Sequence, residues 1–223
     1  MYLFILIFIA SSLVSWILKS KLEKYSRTAL QSNLSGQEVA QMMLRDNGIF
    51  DVKVISTEGQ LTDHYNPADK TVNLSNEIYY GRNAAAVAVA AHEVGHAVQH
   101  AEAYAWLGFR SAMVPMLSFT SRFMSIILLA GILMLEYNAL PLTIGVGLFA
   151  LTTIFSFITL PVEFDASARG LKYLSSRGIV TAQEHSLSKN ALHWAAMTYV
   201  VAALGSLATL LYYASILMGR RND

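Results

Sequence analysis

Two histidines four residues apart flank a glutamate in Val89-Ala90-Ala91-His92-Glu93-Val94-Gly95-His96-Ala97-Val98. On a helix, residues i and i+4 share a face, so the two imidazoles converge and can bind one metal ion. Glu93 then stands beside that ion, placed to take a proton from a water bound to it. This residue set points to Zn2+, which polarises both the water and a substrate carbonyl. Chance does not explain the pattern. With six histidines and nine glutamates in 223 residues, the expected number of occurrences is roughly 0.006. Two histidines and an acid on an otherwise small, apolar helix would also be costly without a role.

A catalytic zinc site takes three protein ligands and a water, so one ligand is missing. His100 continues the i+4 series but lies ~12 Å along the axis from His92, too far to share an ion. The longer H-E-x-x-H-x-x-G-x-x-H pattern needs Gly at position 99 and His at 102, where the chain has Gln99 and Glu102. Glu163, in Pro161-Val162-Glu163-Phe164-Asp165-Ala166-Ser167, is the better candidate. The competing reading is an acid in the first turn of a helix, stabilised by the helix dipole. Asp165 could pair with Arg169 at i+4 or hold a ligand histidine from behind. His64 could contribute to the site or merely furnish a turn. Tyr199 lies in an apolar run, where an aromatic usually packs, although its phenol could hydrogen-bond a developing oxyanion.

The elements that must position these residues are unusual. Apolar residues make up 54% of the chain and charged ones 14%, against about 25% charged in ordinary globular chains. The excess sits in long runs, which is the signature of membrane spans. Five segments follow: 1–18, a transmembrane anchor; 19–111, a catalytic segment bearing the His92–His96 helix; 112–160, a transmembrane hairpin; 161–193, a helical segment with Glu163; and 194–218, a last transmembrane helix. The expected fold is mainly α, with about four transmembrane helices and a small α+β zincin-like catalytic segment.

Basic residues follow the first run instead of preceding it, so a retained anchor is expected, not a cleaved signal. Segments 19–111 and 161–193 hold 13 of the 16 Lys and Arg, which by the positive-inside rule puts both in the cytoplasm. His96 and Glu163 then share one side, because the chain crosses the membrane twice between them. Arg220 and Arg221 conflict with this orientation by falling outside. The net charge of +1 gives no electrostatic case for nucleic acid, and the absence of cysteine excludes disulfides and thiolate chemistry.

Within 19–111, Ser35-Gly36-Gln37-Glu38 reads as a capping box opening a helix to Arg45, with Asn47-Gly48 ending it. Phe50–Ile55 and Thr71–Ser75 read as strands, and Asn83 to about Ala105 as a helix.

Taken in order and spacing, these motifs resemble the YugP-like neutral zinc metallopeptidases, small bacterial multi-pass membrane proteins. The resemblance runs through Ser35-Gly36 with Glu38-Val39-Ala40, Leu61-Thr62-Asp63-His64-Tyr65, Ala90 to Ala97, Leu160 to Ser167 and Thr198-Tyr199-Val200. It implies a zinc-dependent endopeptidase of the cytoplasmic membrane, acting on membrane or membrane-proximal polypeptides. A more distant similarity to HtpX-like proteases implies that Glu163 is the third ligand, from a motif whose closing aspartate is here Ser167. The same analogy makes Thr71–Ser75 the edge on which a peptide lies. Two other readings are an intramembrane protease of the site-2 kind and a non-catalytic scaffold with a structural zinc.

Overall fold

The computed structural model describes residues 2–219. Ten elements follow in order: α1 (Tyr2–Ser26), α2 (Gly36–Asp46), β1 (Lys53–Thr57), β2 (His64–Asn66), β3 (Thr71–Ser75), α3 (Asn76–Tyr79), α4 (Ala84–Ala101), α5 (Ala105–Leu133), α6 (Leu140–Ser176) and α7 (Ala182–Gly219). Four of them, α1, α5, α6 and α7, are long and apolar enough to cross a membrane. The chain is therefore a multi-pass membrane protein built mainly of helices, with a small β-containing segment. Arg220 and Arg221 lie outside the described residues.

α4 is the centre of the molecule. Alanine and valine surround it on every side, as befits a helix buried all round, and Ala86, Val87, Ala90 and Val94 are fully buried. Asn83 opens it, its side chain accepting the amide of Ala86 at 2.9 Å. α2 and β3 pack against it through Val39, Met43 and Leu74. Ser35 and Glu38 form the reciprocal cap on α2, at 3.2 and 2.7 Å.

The sheet has strand order β1-β3-β2, with β1 parallel and β2 antiparallel to β3. β3 is thus the central strand, paired along its whole length with β1 and over Thr71–Asn73 with β2. It cannot be the substrate edge that the analogy assigned to it. Residues 64–66, where the sequence shows only a turn, form the edge strand instead.

Small residues let α6 cross α4 at backbone contact. A Cβ on Gly95 would lie 2.5 Å from the carbonyl oxygen of Ala166, and one on Gly170 would lie 2.9 Å from Ala91. α6 runs on unbroken through Pro161, although the apolar run ends at Leu160. Proline removes a single helical N–H, which so long a helix absorbs. The helix ends at Ser176, followed by Gly178 with φ +65°. Thr181 and Glu184 then cap α7 reciprocally, at 3.3 and 2.7 Å.

Cross-helix pairs set the levels of the spans. Gly131 abuts Leu142 at the α5–α6 turn, and Arg110 meets Glu163 at the other end of that pair. Thr153 bonds Ser206 at 2.8 Å between α6 and α7. Gly205 abuts Ile7, and Tyr25 bonds Asn190 at 2.7 Å, so α1 runs antiparallel along α7.

Candidate metal centre

α4 delivers His92 and His96 from adjacent turns, their rings edge to face with centroids 4.7 Å apart. The crossing of α6 brings Glu163 between them: its Oε2 lies 3.3 Å from Nε2 of His92 and 3.6 Å from Nε2 of His96. The three donor atoms fall within 4.8 Å of one another. Two ligand atoms bonded to one zinc at tetrahedral angles sit ~3.4 Å apart, close to both measured separations.

Among the described residues, Glu163 Oε2 is the buried side-chain oxygen left without a hydrogen-bond partner. A carboxylate oxygen so placed is costly unless a cation meets it. The donor set therefore fits Zn2+. Burial works against charge on His96, yet Glu163 and Glu93 beside it outweigh burial and hold the imidazole pKa above its ordinary value. The cluster calls for positive charge.

The far nitrogens of both imidazoles are engaged. Nδ1 of His92 lies 3.0 Å from Ser167 Oγ, and Nδ1 of His96 lies 3.0 Å from Gln99 Oε1. With Nδ1 donating, Nε2 keeps its lone pair for a metal. Gln99, fully buried, donates onward to the Val162 carbonyl and to Asp165, each at 2.8 Å. Asp165 also pairs with Arg169, which reaches Glu102 at 2.7 Å. Asp165 thus touches the site only through Gln99, while Ser167 directly contacts His92.

Glu93 projects beside the cluster, its Oε2 accepting the amide of Tyr65 at 3.1 Å. That amide belongs to the free edge of β2. His64 lines the same cavity, its ring bonded to the Thr62 carbonyl at 2.7 Å, and is not in the metal cluster. Tyr199 lines the cavity from α7. His100 turns outward to the Tyr65 hydroxyl at 2.7 Å.

Sequence reasoning passed over Arg110 and gave Gln99 no role, and it named Ser167 only as the residue standing where the related motif has its closing aspartate. Arg110 Nη1 sits 3.3 Å from Glu163 Oε1, so the two carboxylate oxygens face different partners. Gln99 stands at i+3 from His96 and Ser167 at i+4 from Glu163, which are helical-face spacings that could have flagged both. Nothing local marks Arg110, whose place depends on the α5–α6 packing.

Two cavities, of about 610 and 710 Å3, one lined by α5 and the other by α1 and α7, share Asp63, His92, Glu93, Glu163 and Tyr199. They form one cleft with the cluster at its middle. Asp63 is held by the Ser75 amide at 2.8 Å. Burial and the nearby charge of Glu93 nonetheless push its pKa above the ordinary carboxylate range.

Residues 1–218 match the family model described as "Putative neutral zinc metallopeptidase". The chain belongs to this family. It is also 42% identical over 205 residues to the "Putative membrane protease YugP" of Bacillus subtilis (strain 168), covering 92% of this chain and 90% of that protein. No solved structure matches. Family and geometry agree on a zinc-protease-like arrangement within a membrane protein.

Proposed function

We propose that this protein is a zinc-dependent endopeptidase that hydrolyses membrane-anchored or membrane-proximal polypeptides at the cytoplasmic face of the cell membrane. The observation that carries the reading is the His92–His96–Glu163 cluster with Glu93 beside it, midway along an open cleft. Zn2+ held by His92, His96 and Glu163 would supply Lewis-acid polarisation of a water and of the scissile carbonyl. Glu93 is the general base. Its Oε2 is fixed by the Tyr65 amide, which leaves Oε1 to take the proton of the attacking water and pass it to the leaving nitrogen. Arg110 and Tyr199, which line the cleft beside the cluster, would stabilise the negative charge that develops on the carbonyl oxygen. The peptide lies along the free edge of β2, whose neighbouring backbone groups fix its register.

The level of the cluster supports a membrane-proximal substrate. Glu163 lies three residues past the end of the third apolar run, ~4.5 Å along the helix, and Arg110 lies two residues before the second run begins. A structural zinc is usually closed by four protein ligands, whereas three donors cluster here among the described residues. α4 is not among the four candidate spans, which disfavours a site-2 arrangement with the metal deep in the bilayer.

The Glu93→Gln variant tests the mechanism. Proteolysis by the purified full-length protein is expected to fall at least 1,000-fold, on the order of the loss of an essential catalytic group, with zinc content unchanged. Retained activity would remove Glu93 as the base.

A further inference from the structure

We propose that the arm of the cleft between α1 and α7 binds an apolar segment of the substrate, the end of its own membrane-spanning stretch. On this reading α1 is a wall of the substrate site as well as an anchor. The proposal rests on the peptidase reading above and adds where the substrate is gripped.

This arm, about 710 Å3, is walled by Leu18 and Leu22 of α1, Val89 of α4, and Ala195 and Ala196 of α7. Its volume lies within the roughly 300–1,000 Å3 typical of ligand sites. The small side chains of α7 are what leave the space open. Glu93 and Glu163 line its inner end, so whatever fills it is continuous with the reacting peptide bond.

At the rim, Glu77 accepts from Gln60 at 2.9 Å and Glu23 pairs with Arg27 at 2.6 Å, and Lys19 lines it as well. Between this charged rim and the cluster, recognition falls to the apolar wall. The pairs Ile7–Gly205 and Tyr25–Asn190 place Ala195 opposite Leu18, the last residue of the first apolar run. The arm therefore sits at the boundary between hydrocarbon and water. A soluble peptide would have to carry apolar side chains there from solution. A membrane-anchored polypeptide presents them at that depth already, and needs only to unwind its last turn to reach the cluster in extended form.

The test uses the full-length protein in lipid nanodiscs. The probe is a single apolar helix followed by an unstructured polar tail. In the Glu93→Gln protein, a photoreactive residue at Leu22 is expected to crosslink to the apolar end of the probe. In the otherwise native enzyme, Ala195→Trp should fill the arm and slow cleavage of the probe at least tenfold with zinc content unchanged. Leu13→Phe, on the opposite, exposed face of α1, should leave cleavage within twofold. No crosslink from Leu22, or undiminished cleavage by Ala195→Trp, would overturn the proposal while leaving the peptidase intact. A crosslinked probe that the wild-type enzyme never cleaves would sink the peptidase reading and keep the arm as a binding site.

Discussion

Each donor in the cluster is held by a second residue, so the cluster should fail in graded steps. Glu163→Ala removes the oxygen that bridges the two histidines and should release zinc during dialysis, read as metal per protein. Arg110→Met leaves the ligands in place but frees the outer carboxylate oxygen. Partners of this kind typically contribute 10–100-fold in metal affinity, and that loss should appear in a chelator competition. Asp63 gives a pH signature. Its native pKa is raised, so the folded state binds the proton more tightly than the unfolded one. Its contribution to stability is complete below the unfolded pKa and is lost as pH rises through the native one. The gain in Tm of Asp63→Asn over wild type should therefore grow as the pH rises above about 4, the ordinary aspartate range. Chelator-treated protein is the right sample, because a bound dication would oppose the shift. The histidines and Glu93 are legible in sequence because their geometry lies within one helix. Gln99 and Ser167 stand at helical-face spacings from His96 and Glu163, whereas Arg110 acquires its role only where helices cross, and no spacing along one helix reports a crossing.

At the scale of elements, the α4–α6 crossing decides whether there is a site. Gly95→Ala places a methyl group 2.5 Å from the Ala166 carbonyl oxygen, which α6 can relieve only by moving away. Overpacking of this sort costs about 1–3 kcal/mol. The expected outcome is a lowered Tm together with weakened zinc binding, because the moved helix carries Glu163. A Ser35→Ala change should instead cost about 1 kcal/mol through the lost cap on α2 and leave zinc affinity unaltered. Caps and hydrophobic runs were readable: α2 opens where Ser35 and Glu38 indicate, and β3 spans Thr71–Ser75. The three-residue β2 was not, since so short a strand exists only by pairing with β3. Hydropathy marked where the lipid-facing surface ends at Leu160, but a helix needs no change of course there, and α6 continues into the site.

For the whole molecule, orientation is the open variable with a clean measurement. The chain contains no cysteine, so Asn138→Cys in the exposed α5–α6 turn supplies a single thiol. It should react with an impermeant maleimide added outside intact cells, as the distribution of Lys and Arg implies. Labelling only after lysis would invert the topology. The path of the chain also imposes an order in time. His92 and His96 leave the ribosome 71 and 67 residues ahead of Glu163, with a full out-and-back passage through the bilayer in between. Until that hairpin is threaded, the nascent chain holds two imidazoles and a base but no third donor. Membrane insertion thereby becomes the maturation step: a metal centre completed only on arrival keeps the protein silent in transit.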